Sequence, residues 1–307
     1  MKNTASTATT LSAFTSLKGG MNTAIAPGAR LVTLSTDYAT WWEHDEPVNV
    51  SLPRVTEDGS RWVDDHQLRV GLGTLDLVAK KWHADATLQH WNRRGPQGQS
   101  PVARTAWFPD TEHVAILLRN YQLQQERGKP NPQRWSNELV IVARSDGRVR
   151  GRIMVPHADS IATADNRVLL HGKDDELLLL DLDAKVIATL PVSALRIREG
   201  AGMFAAISAK DEIVAISPLN GAIIAKWKLP TDIADVVPVS SGLLAIDYAG
   251  LIYVGCLQRS VINLVGKFDS KMQVPVMQLV GEQLAVAGSV SGETTAVRVA
   301  TFTNPCQ

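Results

Sequence analysis

Imidazole and carboxylate groups are the side chains of this chain with the most evident capacity for chemistry. Three of the seven histidines lie close to acidic residues, in His44-Asp45-Glu46, Asp64-Asp65-His66 and His83-Ala84-Asp85. Such neighbours can transfer protons or bind a metal ion, but the compact H-E-x-x-H spacing of a helical zinc site is absent. The G-x-S-x-G, Walker A and complete G-x-G-x-x-G motifs are absent as well. These three places are therefore predicted to be turns, with no catalytic residue, no metal site and no cofactor.

A second group of residue types suits protein recognition. Residues 120–137 read NYQLQQERGKPNPQRWSN, and connecting segments longer than about 12–15 residues are usually functional or disordered. Aromatic and arginine side chains are enriched at protein interfaces. We therefore predict a protein contact site that consists of Tyr121, Arg127, Lys129, Arg134 and Trp135. A solvated hairpin, with Trp135 packed on its own sheet, remains the alternative.

The charge of the chain is balanced overall but unevenly distributed. Thirty-one basic and 31 acidic residues give a net charge of zero. Residues 36–66 hold eight acidic and two basic residues, whereas residues 93–152 hold eleven basic and five acidic ones. The neutral total and the absence of a binding motif do not favour a nucleic-acid partner. The segregation predicts a dipolar surface that would steer charged protein partners.

Tryptophan is concentrated near the start of the chain. Six of the eight tryptophans lie between residues 41 and 107. We predict that they pack between structural units, with a ligand-binding aromatic surface as the alternative.

The elements that would position these residues follow from an internal repeat. Similar strings begin at Glu138, Glu176 and Glu212, which are 38 and 36 residues apart. Each contains an apolar run typical of a buried strand, a turn and a second strand that ends at a proline. In two copies the turn is Asp146-Gly147 or Asn220-Gly221, dipeptides that favour tight hairpins. Two further short strands precede the later copies, so each period holds four strands.

One copy of the repeat resembles a known family. Val214, Ala215, Ile216, Gly221 and Trp227 match the repeat of quinoprotein-type β-propellers, although Ser217 stands where that repeat has Asp. WD40 propellers are the second relative, but no strand here ends in Trp-Asp. The resemblance implies the fold only. The neighbouring cysteine pair of quinone-dependent dehydrogenases is absent, so it implies no cofactor.

The period predicts an all-β chain in which residues 29–307 form a single β-propeller of about seven four-stranded blades. Unit ends fall near residues 53, 94, 156, 191, 230 and 268 and at the C-terminus. The first unit lacks an inner strand and the last an outer one, which predicts a ring closed by N- and C-terminal strands. Six blades, or a pair of β-sandwiches, remain alternatives.

We make three predictions about the N-terminal segment, the cellular location and the two cysteines. Residues 1–28 are predicted to be a flexible tail, and translation could start at Met1 or Met21. No apolar run is long enough for a membrane span or a secretory signal, so we expect a cytoplasmic protein. Cys256 and Cys306 are expected to be reduced thiols, with a disulfide between them left open.

Taken together, the sequence predicts a non-catalytic, monomeric scaffold that binds other proteins. The alternative is a hydrolase or lyase whose acidic and histidine side chains meet at the central channel.

Overall fold

The computed structural model describes residues 11–17, 24–26, 30–35, 37–52, 59–92, 102–120, 136–155, 158–171, 176–210, 212–229, 231–268, 272–290 and 293–306. In these ranges the chain is almost entirely β-structure, with a single short 3₁₀ helix, Gln89–Asn92. The strands are, in chain order, β1 (Thr15–Leu17), β2 (Ala24–Ile25), β3 (Val32–Leu34), β4 (Tyr38–Glu43), β5 (Glu46–Ser51), β6 (Arg61–Trp62), β7 (Gln67–Val70), β8 (Gly73–Asp76), β9 (Lys81–Ala84), β10 (Val102–Trp107), β11 (His113–Asn120), β12 (Ser136–Ala143), β13 (Val149–Met154), β14 (Ile161–Ala164), β15 (Arg167–His171), β16 (Leu177–Leu180), β17 (Val186–Leu190), β18 (Ala194–Gly200), β19 (Met203–Ser208), β20 (Glu212–Ile216), β21 (Ile223–Lys228), β22 (Ile233–Val239), β23 (Gly242–Asp247), β24 (Leu251–Cys256), β25 (Arg259–Lys267), β26 (Met272–Val280), β27 (Gln283–Val290) and β28 (Glu293–Thr301).

The strands form seven antiparallel sheets of four strands each. Blades 1 to 6 are the consecutive sets β2–β5, β6–β9, β10–β13, β14–β17, β18–β21 and β22–β25, and blade 7 has the order β26-β27-β28-β1. The first strands of blades 3 to 7 contact one another in turn, and β2 of blade 1 contacts β26 of blade 7. The molecule is therefore a seven-bladed β-propeller, as the repeat predicted, and the alternatives of six blades or two sandwiches are wrong.

The ring closes through strands from both ends of the chain. β1 pairs with β28 in antiparallel register, with Thr15 opposite Val299 and Leu17 opposite Val297. Leu11 forms a further bridge to Phe302. This closure removes the open edge that β28 would otherwise present to solvent.

The prediction of a flexible tail over residues 1–28 is wrong for residues 11–17 and 24–26. The segment Thr15–Leu17 is the outermost strand of blade 7, and Ala24–Ile25 is the innermost strand of blade 1. Both strands are too short to show a periodic pattern, so the Thr/Ser/Ala composition of this segment hid them. β1 takes its backbone partner, β28, from the other end of the chain, whereas β2 pairs with the neighbouring β3.

Local turn chemistry explains why the repeats fold into hairpins. Gly147 and Gly221 adopt φ values of 69° and 74°, the left-handed region that glycine enters without steric cost. Ala184 occupies the matching place in blade 4 at φ 58°. There the Oδ1 atom of Asp181 accepts hydrogen bonds from the amides of Asp183 and Lys185, both at 2.9 Å. Those bonds stabilise a turn that lacks its glycine.

Within the described ranges, the buried side chains of the hydrophobic core form seven clusters. Each cluster joins two adjacent blades, and together they cover all seven junctions of the ring. Trp227 shows the packing between blades 5 and 6: its ring is buried, and a Cβ added at Gly255 would lie 2.9 Å from it. A side chain larger than glycine at position 255 would displace that ring. Buried side chains of neighbouring blades thus pack together at the junctions between the blades.

Blade 2 departs most from the predicted pattern. The stretch from Leu75 to Trp82 is divided between β8 and β9. Blade 2 ends at Ala84 and not near residue 94, and the segment after it forms turns and the 3₁₀ helix. Leu88 from this segment is fully buried against blade 3, which explains its apolar character.

Two further features concern the chain as a whole. Among the residues that the structure describes, no helix has the length and apolar character to cross a membrane. Cys256 and Cys306 are joined by a disulfide bond, with their Cα atoms 5.3 Å apart. The expectation of two reduced thiols is therefore wrong for this structure, because the C-terminal segment returns to blade 6.

Candidate functional site

The predicted contact segment lies between the second and third strands of blade 3. β11 and β12 pair along their whole length, from His113 opposite Ala143 to Asn120 opposite Ser136. The five candidate residues all fall between Asn120 and Ser136, and they lie outside the residues that the structure describes: Tyr121, Arg127, Lys129, Arg134 and Trp135. The segment thus connects β11 to β12, and the contact role of these side chains stays a prediction.

We call residues 121–135 the insert. The strands at its base are hydrogen-bonded to the segment that leads into blade 4. The Asn137 side chain, near the start of β12, donates a hydrogen bond from Nδ2 to the carbonyl oxygen of Ala158. The amide of Val155 donates to the Asn137 carbonyl oxygen at 2.8 Å. Arg104, on β10, donates from Nε to the carbonyl oxygen of Asp159. Blade 3 and the segment that leads into blade 4 thus form a common base beneath the insert.

A histidine–aspartate pair completes this base. His171 Nδ1 lies 2.7 Å from Asp159 Oδ1, and the imidazole is largely buried whereas the carboxylate is exposed. The hydrogen bond from His171 lowers the pKa of Asp159 below its ordinary value, and the charges of His171 and Arg104 act in the same direction against the opposing effect of burial. Within the described part of the chain, no group of three metal-binding side chains forms here or elsewhere. The pair therefore orients Asp159 and keeps it ionised.

The basic residues of blade 3 are partly neutralised by local partners. Arg144 Nε lies 2.7 Å from Asp85 Oδ2, in a pair that joins blade 3 to the segment after blade 2. Arg150 and Arg152 lie 3.4 and 3.6 Å from the carboxylates of Asp183 and Glu138. Residues 93–152 carry an excess of basic side chains, but these contacts reduce the free positive charge on the described surface of blade 3.

Sequence reasoning missed a polar network on the innermost strands. Arg61, on β6, donates from Nε to the Trp107 carbonyl oxygen at 3.2 Å and from Nη2 to the Thr163 carbonyl oxygen at 2.6 Å. Its Nη2 also lies 3.2 Å from Glu199 Oε1 on β18. One arginine of blade 2 therefore bonds to the innermost strands of blades 3, 4 and 5. Its side chain lies across the centre of the ring.

A second polar cluster joins blades 5, 6 and 7. Asp235, on β22, is fully buried and accepts two hydrogen bonds from Arg198. Arg196 Nη1 lies 3.1 Å from Asp235 Oδ1, and the Met277 amide of blade 7 donates to Oδ2 at 2.8 Å. Burial raises the pKa of Asp235, but the charges of Arg198 and Arg196 with these hydrogen bonds bring it below the ordinary value. The sequence signal for this cluster is Asp235 itself, a charged residue inside the otherwise apolar string Ile233–Val239.

The histidines of the three carboxylate-rich places do not converge. His44 occupies the turn between β4 and β5 at φ 53°, His66 lies between β6 and β7, and His83 lies on the outermost strand of blade 2. All three side chains are exposed. His113, in blade 3, pairs with Asp110 of the same blade, and its Nδ1 lies 2.7 Å from Asp110 Oδ2. In the part of the chain that the structure describes, these histidines lie apart, and the prediction of a turn is wrong for His83 and Ala84, which belong to β9.

The clustered tryptophans pack between blades. Trp41, Trp62 and Trp82 contribute to the core of blades 1 and 2. Trp107 is fully buried between blades 2 and 3, where its Nε1 donates to the Gly71 carbonyl oxygen at 2.8 Å and its ring faces the Arg69 guanidinium. The interpretation that these side chains serve packing is confirmed.

Solved structures similar to this chain are propellers with low sequence identity. BamB from Moraxella catarrhalis is 12% identical with a TM-score of 0.53, and the match covers 90% of this chain and 84% of that one. The BBS1N chain, crystallised in complex with ARL6DN and soaked with lead, is 12% identical with a TM-score of 0.62, over 96% and 97% of the two chains. No protein-family model and no curated protein matches the chain. The chain thus has a quinoprotein-like, WD40-like propeller fold, and the likeness concerns the fold alone.

Proposed function

We propose that this propeller is a non-catalytic scaffold that binds other proteins through the insert at residues 121–135 of blade 3. The observation that carries the proposal is the anchoring of the insert at both ends. Asn120 and Ser136 face each other in the β11–β12 ladder, and Asn137 is bonded to the segment that leads into blade 4. A binding loop on a fixed base loses less conformational freedom when a partner binds.

The composition of the insert supports an acidic protein partner. Between Asn120 and Ser136 the chain carries Arg127, Lys129 and Arg134 against a single acidic residue, Glu126. Trp135 adds a large aromatic surface of the kind that dominates interface energetics. Positive charge accelerates the approach of an acidic partner, and a buried aromatic side chain slows its release.

The structural neighbours agree with this class of function without specifying it. BBS1N was crystallised with ARL6DN, so a propeller similar to this one has been observed with a protein partner. A monomeric ring in the cytoplasm remains our prediction for this chain.

Affinity capture from the native cell tests the proposal. The tagged wild-type protein is compared with an Arg134→Ala/Trp135→Ala variant and with a matched Arg148→Ala/Tyr248→Ala control. The control removes an exposed arginine and an exposed aromatic ring outside the insert. We expect at least one protein to be enriched by the wild type and the control and reduced more than tenfold by the insert variant, because hot-spot residues contribute about 2 kcal/mol or more each. Equal capture by all three proteins would contradict the proposal.

A further inference from the structure

The disulfide bond connects the C-terminal tail to the blade that precedes the closing blade. Cys256 is the last residue of β24 in blade 6, and Cys306 follows β28 of blade 7 by five residues. The two cysteines are 50 residues apart in sequence, and the chain between them contains β25 and the three strands that blade 7 takes from this end of the chain. The bond therefore encloses three of the four strands of blade 7 in a covalent loop attached to blade 6.

The tail contacts blade 6 through Asn304 and next to Gly242. The Nδ2 atom of Asn304 donates to the Ser240 carbonyl oxygen at 2.7 Å, in the turn before β23. A Cβ added at Gly242 would lie 3.1 Å from Cys306 Sγ and 2.3 Å from the Gly255 carbonyl oxygen. A residue with a side chain at position 242 would therefore press against the place where the tail lies.

The ring is also closed without this bond. β1 pairs with β28, and Leu11 and Phe302 are buried in the core shared by blades 6 and 7. Loss of the disulfide would thus release the tail beyond Phe302 while the last blade keeps its four strands. Among the described contacts of the tail with blade 6, the Asn304 hydrogen bond, which contributes about 1 kcal/mol, and the packing of Cys306 against the core would remain.

The two sulfur atoms differ in their surroundings. Cys256 is buried, whereas Cys306 is only partly buried and lies next to the end of the chain. A reducing thiolate can therefore approach Cys306 more readily. Because the chain contains two cysteines, reduction and reoxidation interconvert two defined states with no alternative intramolecular pairing.

We propose that Cys256–Cys306 is a reversible redox latch that holds the C-terminal tail on blade 6 and reinforces ring closure when it is oxidised. A thiolate of a dithiol reductant attacks Cys306 Sγ, the S–S bond breaks, and Cys256 leaves as a thiolate and takes up a proton. The second thiol of the reductant then attacks the mixed disulfide and releases Cys306 as a thiol. The protein gains two electrons and two protons, and the dithiol becomes a cyclic disulfide. In a reducing compartment such bonds are characteristically transient and redox-sensing, which agrees with the cytoplasmic location predicted for this chain.

The test compares oxidised and dithiothreitol-reduced protein in native buffer without denaturant. We expect mass spectrometry to show no alkylated cysteine before reduction and two afterwards. In reduced protein that has not been alkylated, the intramolecular bond should re-form when dithiothreitol is exchanged for a small-molecule disulfide, which accepts the two electrons and two protons. Reduction should lower the melting temperature by about 5 °C or more, because a crosslink that closes a loop of this length restricts the unfolded chain. It should also increase hydrogen exchange at residues 303–306 while β28 stays protected.

Two variants complete the test. Cys306→Ser should match the reduced protein and show no response to dithiothreitol, whereas Asn304→Ala should keep the full response because its cysteines remain paired. Alkylation of both cysteines in protein that has not been treated with dithiothreitol would overturn the proposal. So would a bond that is reduced only in denaturant, or a reduction that leaves melting and exchange unchanged.

Discussion

Asp235 and Arg198 form a doubly hydrogen-bonded ion pair across the junction of blades 5 and 6. Oδ1 of the carboxylate accepts from Nε at 3.0 Å, and Oδ2 accepts from Nη2 at 2.9 Å. The carboxylate is completely buried, and Arg196 together with the Met277 amide occupies its remaining lone pairs. The Asp235 carboxylate thus connects blade 6 to blades 5 and 7.

Replacement of Asp235 by Asn should destabilise the protein strongly. The amide keeps the size of the side chain but removes the charge that compensates Arg196 and Arg198, and breaking a buried ion pair costs about 3–5 kcal/mol. Urea unfolding measures this loss. Asp183→Asn is the matched control, since its pair with Arg150 is partly exposed and should contribute less than about 1 kcal/mol. Equal losses for the two variants would contradict the role of burial.

The same residue predicts a pH dependence of stability. The pKa of Asp235 is lowered in the folded protein, so the unfolded chain binds this proton more readily. The stabilisation is therefore complete above the unfolded value of about 3.9 and is lost as the pH falls through the lower, folded value. The free energy of unfolding, measured between pH 3 and pH 7, should fall more steeply below about pH 4 in the wild type than in Asp235→Asn. Parallel curves would show that another group is responsible.

Arg61 should contribute to stability through its contacts with three other blades. Arg61→Ala removes two hydrogen bonds to backbone carbonyl groups and the ion pair with Glu199. We expect a loss of about 2 kcal/mol, since bonds made by charged groups contribute about 1.5–3 kcal/mol each and some water can replace them. Arg148→Ala, whose side chain is 86% exposed, is the control and should unfold like the wild type in urea. An unchanged urea midpoint for Arg61→Ala would contradict the network.

The fold was largely predictable because it repeats. Turn residues such as Gly147 and Gly221 and the apolar runs around Glu138 and Glu212 recur at a regular period, so several weak local signals reinforce one another. Arg61 and Asp235 could not be assigned in the same way, because their partners lie on other blades and a single sequence does not show which strands face the centre. The contact role of Arg134 and Trp135 depends on side chains outside the described residues, and it remains a prediction from composition.

The N-terminal strand gives a further prediction. Removal of residues 1–20 deletes β1 and Leu11, which leaves β28 with an unpaired edge and uncovers Phe302. We expect a lower melting temperature and concentration-dependent association, because unpaired strand edges promote pairing between molecules. Differential scanning fluorimetry and size-exclusion chromatography measure both effects.

A point variant keeps this prediction testable if the shortened chain does not fold. Leu11→Ala should cost about 2 kcal/mol or more, the usual loss for a buried leucine, while the protein stays monomeric. A shortened chain with wild-type melting, or a Leu11→Ala variant with unchanged stability, would contradict the assigned role of this segment in ring closure.

Site-specific photo-crosslinking in the native cell shows whether the insert of blade 3 contacts a protein partner. A benzophenone amino acid is placed at position 135, inside the insert, or at position 248, where Tyr248 is 56% exposed on blade 6. We expect a discrete protein adduct from position 135 that is absent from position 248 and is lost when Arg134 is also replaced by Ala. No adduct from position 135, or the same adducts from both positions, would contradict it.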